Sequence, residues 1–139
     1  MRKIPEYSLW LGHVGDIRDI RSVLSTGIEA VVDLALNEPP AKANRELVYC
    51  RFPLLDGSGN PPWLLRIAVA TIAGLLKSGT PTLVFCSAGM SRTPAVAGAA
   101  IAQLRGCSLA DGVAIVTQSG AVDISPALLT EMQALFVST

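Results

Sequence analysis

Apolar positions follow two rhythms along this chain, and the two alternate. Ile28 to Leu36 and Thr82-Leu-Val-Phe85 are apolar almost without a break. Short runs rich in valine and leucine, with barely any polar alternation, predict strands covered on both faces. Ser8 to Leu11 and Leu47 to Pro53 read as two more strands. Between these runs the apolar spacing changes to three and four. Asp16 predicts a helix cap ahead of Ile17, Ile20 and Leu24, and Gly27 a stop. A second helix is predicted over Trp63 to Lys77, its inward stripe supplied by Leu64, Ile67, Ala68, Thr71, Ile72 and Leu75. Pro94 sits in the first turn of an alanine-rich helix that permits close approach of a neighbour. Two more helices, Ser108 to Gln118 and Ser125 to Val137, each open on a serine cap, and Pro126 takes the first position of the second.

Strands alternating with helices predict an α/β fold: a single domain over 1–139 with a mainly parallel central sheet of about four to five strands, flanked by helices on both faces. Ligands bind beyond the carboxyl ends of the strands in such sheets. Asn37-Glu38, Asp56 and Cys86, each directly after a strand, are therefore predicted to share one edge.

Composition narrows the function. Half of the residues are hydrophobic and 16% are charged, which favours a buried core over disorder. Eleven basic residues balance eleven acidic ones, so a broad nucleic-acid footprint is excluded while a local anion pocket is not. The longest apolar stretch, Leu64 to Leu76, is broken by Arg66 and too short to span a bilayer, so no membrane partner is expected. The amino-terminal segment lacks an apolar signal region. Cys50, Cys86 and Cys107 form neither a C-x-x-C pair nor a zinc-ligand spacing, so free thiols in a reducing cytoplasm are expected. His13 is the single histidine and reads as a turn residue after the first strand. No metal or cofactor is expected, and a monomer is.

One stretch carries chemistry. Cys86-Ser-Ala-Gly-Met-Ser-Arg92 leaves a buried strand and enters a helix. Successive backbone N–H groups over Ser87, Ala88, Gly89, Met90 and Ser91 can wrap a phosphate, and the helix directs its positive end at the same point. Gly89 permits the tight path, and Arg92 presents a planar fork to two phosphate oxygens. A cysteine in such a field is suited to act as a nucleophile.

Cys86-Ser-Ala-Gly-Met-Ser-Arg-Thr93 resembles the signature loop of the dual-specificity protein tyrosine phosphatases, C-x-A-G-x-S-R-[ST]. Leu9-Trp-Leu-Gly12, Gly27 to Leu34, Phe52-Pro-Leu-Leu-Asp56 and Ile124-Ser-Pro126 fall in the family's order, so the resemblance covers nearly the whole chain. It implies the phosphotyrosine protein phosphatase fold and hydrolysis through a cysteinyl-phosphate intermediate. Cys86 would be the nucleophile, Arg92 would bind phosphate, Asp56 would be the general acid and base, and the Thr93 hydroxyl would support the thiolate. The implied partner is a phosphorylated protein or a small aryl phosphate. One position departs from the family, which usually has histidine before the nucleophile. This chain has Phe85, and weakened activity is expected. The loop's variable positions carry no lysine or arginine, which favours singly phosphorylated aryl or peptide substrates unless Arg45, Arg51 or Arg66 reaches the rim. Cys50 stands on the strand leading to Asp56, as a core thiol or as a guard of Cys86 by disulfide. The competing readings are a pseudophosphatase that captures phosphorylated partners and another C-x5-R enzyme such as an arsenate reductase.

Overall fold

The structure is a computed structural model and describes residues 1–42 and 46–136. Arg45 and the predicted helix end at Val137 lie outside the described residues. Eleven elements follow one another among them: β1 (Arg2–Ile4), β2 (Leu9–His13), α1 (Val14–Arg18), α2 (Ile20–Ser25), β3 (Ala30–Ala35), β4 (Val48–Leu54), α3 (Pro62–Lys77), β5 (Thr82–Cys86), α4 (Arg92–Arg105), α5 (Leu109–Thr117) and α6 (Pro126–Leu135).

The strands form one five-stranded sheet in the order β1-β2-β5-β3-β4. All neighbours are parallel except the β1–β2 edge pair. The order places β5, which ends in Cys86, at the centre, with β2 and β3 on either side. Side chains alternate across the sheet as strand geometry requires. Val84 and Cys86 join a large core with Leu9, Leu11, Val32 and Leu34, covered by α3 and α4 and backed by α5 and α6. Leu83 and Phe85 join a smaller cluster with Val31, covered by Ile17 of α1 and Val23 of α2. This two-sided cover is why the strands read as continuous apolar runs.

Three local readings need correction. The first helix is two short ones, broken at Asp19, and Asp16 is not its cap. His13 is the cap: Gly15 N–H donates to its Nδ1 at 3.0 Å, while Asp16 accepts from the His13 N–H at 2.9 Å. That reciprocal capping box starts the helix three residues earlier than the Asp16 cap implies. His13 also ends β2, paired in register with Cys86, and so belongs to the strand as well as the turn.

The inward stripe of α3 is shifted in phase. Leu65, Ala68, Val69, Ile72 and Leu76 are buried, while Trp63 and Ile67 are among the exposed large hydrophobics. A segment apolar almost all round leaves its phase to the tertiary packing. Third, β1 is an additional strand: three residues, two of them basic, ahead of a proline, give little periodic signal.

The alanine-rich face of α4 permits the close approach expected of it. Its neighbour is α5, where a Cβ at Gly112 would stand 2.1 Å from the Gly98 carbonyl oxygen. Gly112→Ala should therefore cost about 1–3 kcal/mol through overpacking. Gly74→Ala, in open space on the exposed side of α3, should instead stabilise by about 0.5–1 kcal/mol. Urea midpoints of the two variants against wild type check both signs.

Candidate active site

The loop from Ser87 to Ser91 joins the central strand to α4 and is held from below by β2. Gly89 has φ of +75°, and a Cβ there would meet the Gly12 carbonyl oxygen at 2.6 Å, so both conformation and space require glycine. Val14 N–H donates to the Ser87 carbonyl at 3.4 Å, tying the start of α1 to the loop. On the other flank Asp123 N–H donates to the Met90 carbonyl at 2.7 Å. The N–H groups of Ser87 to Ser91 themselves donate to no backbone or side-chain acceptor among the described residues. Their donors remain available.

Cys86 is buried at the end of β5, on the sheet face that carries α4. Arg92, the first residue of α4, is only 5% exposed. Its Nη1 donates to the Leu54 carbonyl at 3.0 Å and its Nη2 to Ser87 Oγ at 3.1 Å. Its Nε is buried with no partner, and no carboxylate pairs with it among the described residues. Leu54 ends β4, so the guanidinium spans from the strand that leads to Asp56 back to the Cys86 loop.

Asp56 is exposed and its Oδ1 accepts from Ser91 Oγ at 2.5 Å. Ser91 Oγ in turn accepts from the Ser125 N–H at 2.8 Å, so one hydroxyl links the Asp56 loop, the Cys86 loop and the start of α6. Thr93 Oγ1 is fully buried and has no partner, so the hydroxyl–thiolate contact implied by the resemblance is not formed here. Ala88 and Met90 face outward, and Met90 is 38% exposed. Sheet topology and these bonds thus bring Cys86, Arg92, Ser87, Ser91 and Asp56 to one place.

Other members of the cradle went unread in the sequence. Asn60 is buried, accepts from Leu55 N–H at 2.7 Å, and donates to the carbonyls of Leu55 and Gly57, which folds the Asp56 loop onto itself. Glu131 of α6 accepts from Gly59 N–H at 2.6 Å. An asparagine six residues after the end of β4 is the available signal for the first; nothing local marks Glu131.

Cys50 cannot guard Cys86. It pairs with Val32, and Val32 with Val84, so it lies two strands away and two residues back from the nucleophile position. Two inter-strand spacings total about 9.5 Å, against the limit of about 7 Å between Cα atoms of a disulfide. Cys50 is a half-buried thiol packed against the main core.

Of the arginines considered for the rim, Arg51 is engaged elsewhere. It donates to the carbonyls of Ala35 and Glu38 and lies 3.8 Å from the buried Asp33. Arg66 is exposed on α3. Asp33 accepts from Ala35 N–H and from the Tyr49 hydroxyl, which ties β4 to β3 rather than serving the site.

No family model and no curated protein matches the sequence. Solved structures do match over nearly the whole chain. Human DUSP28 superposes with a TM-score of 0.84 at 22% identity, covering 97% of this chain and 94% of its own. A mouse putative dual specificity phosphatase, solved with zinc tungstate, has a TM-score of 0.84 at 20% identity, covering 97% and 85%. The human tyrosine phosphatase-like serine/threonine/tyrosine-interacting protein has a TM-score of 0.79 at 21% identity, covering 96% and 93%. The chain has the dual-specificity phosphatase fold. No helix among the described residues is long and apolar enough to cross a membrane.

Burial, and the bond to Asp33, raise the pKa of Tyr49 from 10.0 to about 12. Folded Tyr49 keeps its proton where the unfolded side chain loses it, so its contribution is complete below pH 10 and is lost as pH rises toward 12. Tyr49→Phe should cost about 1–3 kcal/mol at neutral pH, because the bond to the buried Asp33 carboxylate and the bond accepted from Ala41 N–H are both lost. The stability gap between wild type and variant, followed by urea unfolding, should narrow across pH 10 to 12.

Proposed function

We propose that this chain is a phosphomonoester hydrolase of the dual-specificity and tyrosine phosphatase type, working through a cysteinyl-phosphate on Cys86. The observation that carries the reading is Arg92, a guanidinium 5% exposed with no carboxylate partner among the described residues and an unbonded Nε. A buried cation without a counter-ion is costly. A phosphate dianion in the adjoining loop supplies that counter-ion. The unoccupied N–H donors of Ser87, Ala88, Gly89, Met90 and Ser91 complete the cradle.

In this reading the Cys86 thiolate attacks phosphorus as the ester P–O bond breaks opposite it. Asp56 gives its proton to the leaving oxygen, and the Ser91 hydroxyl on Oδ1 fixes the orientation of that carboxyl. Asp56 then takes a proton from the water that attacks the cysteinyl phosphate. Inorganic phosphate leaves and the thiolate is restored. Thr93 Oγ1, buried and unpartnered, gains a partner when its hydroxyl turns to the sulfur. The same loop in a pseudophosphatase would bind phosphate without turnover, but here the nucleophile, arginine and acid are all present in sequence. An arsenate reductase-like order places the loop near the amino terminus with its acid far downstream, the reverse of Asp56 before Cys86.

The substrate class follows from the rim. Exposed Met90 offers an apolar wall and the loop adds no cation beyond Arg92. Arg51, with its bonds to Ala35 and Glu38, does not supply one. Singly phosphorylated aryl or peptide substrates, the phosphotyrosyl class among them, fit better than polyphosphorylated lipids.

Two measurements test the chemistry. Wild type should hydrolyse p-nitrophenyl phosphate in excess chelator, and Cys86→Ser should show no turnover while still binding phosphate. Full activity in Cys86→Ser, or a strict metal requirement, contradicts the scheme. Asp56→Asn should slow an alkyl phosphate by about 10²–10⁴-fold, and p-nitrophenyl phosphate far less, because only the poor leaving group needs the proton. Equal losses on both would remove Asp56 from proton transfer.

A further inference from the structure

A concavity lies on the sheet face away from the Cys86 side chain. It is a cavity of about 400 Å³ between α1 and the connection from β3 to β4, within the range of about 300–1,000 Å³ usual for small-molecule sites. Ile17, Ile20, Pro39 and Phe85 contribute apolar surface. Phe85 and Cys86 are consecutive on β5, so their side chains leave the sheet on opposite faces. The phosphate chemistry proposed above leaves this cavity unused.

Its charged groups sort into engaged and free. Asp33 is engaged: it accepts from Ala35 N–H and the Tyr49 hydroxyl and has Arg51 at 3.8 Å. Arg18 and Lys42 also line the cavity, and neither side chain makes a hydrogen bond or ion pair among the described residues. Glu38 lines it too, with a carboxylate that is likewise unpaired. Two free cations against one free carboxylate leave one positive charge over an apolar floor. Such a wall favours an apolar molecule with one negative charge, and disfavours a cation or a bare hydrocarbon.

We propose that this cavity binds a small amphiphile with a single carboxylate or sulfonate, its apolar body against Phe85, Ile17 and Ile20 and its anionic head between Arg18 and Lys42. The site is separate from the phosphate loop and does not depend on turnover there.

The probe is 1-anilinonaphthalene-8-sulfonate, a fused aromatic body with one negative charge, set against its neutral analogue N-phenyl-1-naphthylamine. Fluorescence titration of the full chain should show one saturable site, with the sulfonate binding about three- to tenfold more tightly than the neutral probe, the size expected of partly exposed ion pairs. Arg18→Ala/Lys42→Ala should erase that difference and leave the neutral probe's affinity unchanged. Arg66→Ala, a cation on the other face of the sheet, should alter neither. Ile20→Trp should fill the cavity and abolish both; because a filled core can unfold, the surface double variant carries the test on its own. Orthovanadate at a concentration that saturates the phosphate loop should leave the sulfonate bound. Equal affinity for the two probes in wild type, survival of the difference in Arg18→Ala/Lys42→Ala, or displacement by orthovanadate would each overturn the assignment.

Discussion

The arrangement turns on one guanidinium, that of Arg92, taken out of water with no carboxylate to meet it among the described residues. Burying a charge is tolerable only where other groups replace its solvation. Among the described residues two such groups meet it, the Leu54 carbonyl and the Ser87 hydroxyl. That incompleteness dictates the surroundings. Leu54 has to end β4 where Arg92 begins α4, and the Cys86 loop has to curl back so that Ser87 reaches the same side chain. The sheet order, with β5 central and β3 and β4 to one side, provides that crossing.

The loop's own shape depends on contacts outside it. Gly12 lies under Gly89, the α5–α6 connection fixes Met90 and Ser91 through Asp123 and Ser125, and Glu131 steadies the Asp56 loop through Gly59. A segment whose N–H groups make no internal bonds would be expected to fluctuate; here its carbonyls, a hydroxyl and its glycine are held instead. The loop is thereby fixed while its N–H donors stay without acceptors among the described residues. Such preorganisation is what lets backbone dipoles act on an anion without rearranging. Phe85 fits the same division of labour. Its ring completes the cluster of Ile17, Val23, Leu83 and Val31 behind the strand, where an imidazole would bring a polar N–H into an apolar environment.

The parts legible in the sequence were those with a local cause. The buried runs of β3 and β5, the serine caps of α5 and α6, the punctuated loop around Asp56 and the cysteine-to-arginine spacing all express rules that operate within a few residues. The parts that were not legible have distant causes. The phase of α3 is set by whatever lies beneath it, because Leu64 and Leu65, or Leu75 and Leu76, could each have faced inward. The hydroxyl of Ser91 was read as part of a loop, yet its partners are residues 35 and 34 positions away. Glu131 reaches Gly59 across 72 residues. The break lies at Asp19 itself, whose non-helical backbone ends α1 and whose carboxylate accepts from Ser22 N–H to cap α2. Disulfide guarding by Cys50 was suggested by its strand and refused by strand pairing, a fact available only once register is known.

The central claim, that Arg92 is a buried cation completed by an oxyanion, is tested most directly by anion-dependent stability. The thermal midpoint of wild type, followed with sub-millimolar to millimolar tungstate against sodium chloride of equal ionic strength, should rise with anion concentration. A ligand at 100 times its Kd adds about 2.7 kcal/mol to a folded state that alone binds it. Arg92→Met should remain folded, at a stability close to wild type without anion, because an uncompensated buried charge has been removed, and its midpoint should not respond to tungstate. A wild-type midpoint indifferent to tungstate, or an Arg92→Met midpoint that rises as steeply as wild type's, would contradict the account.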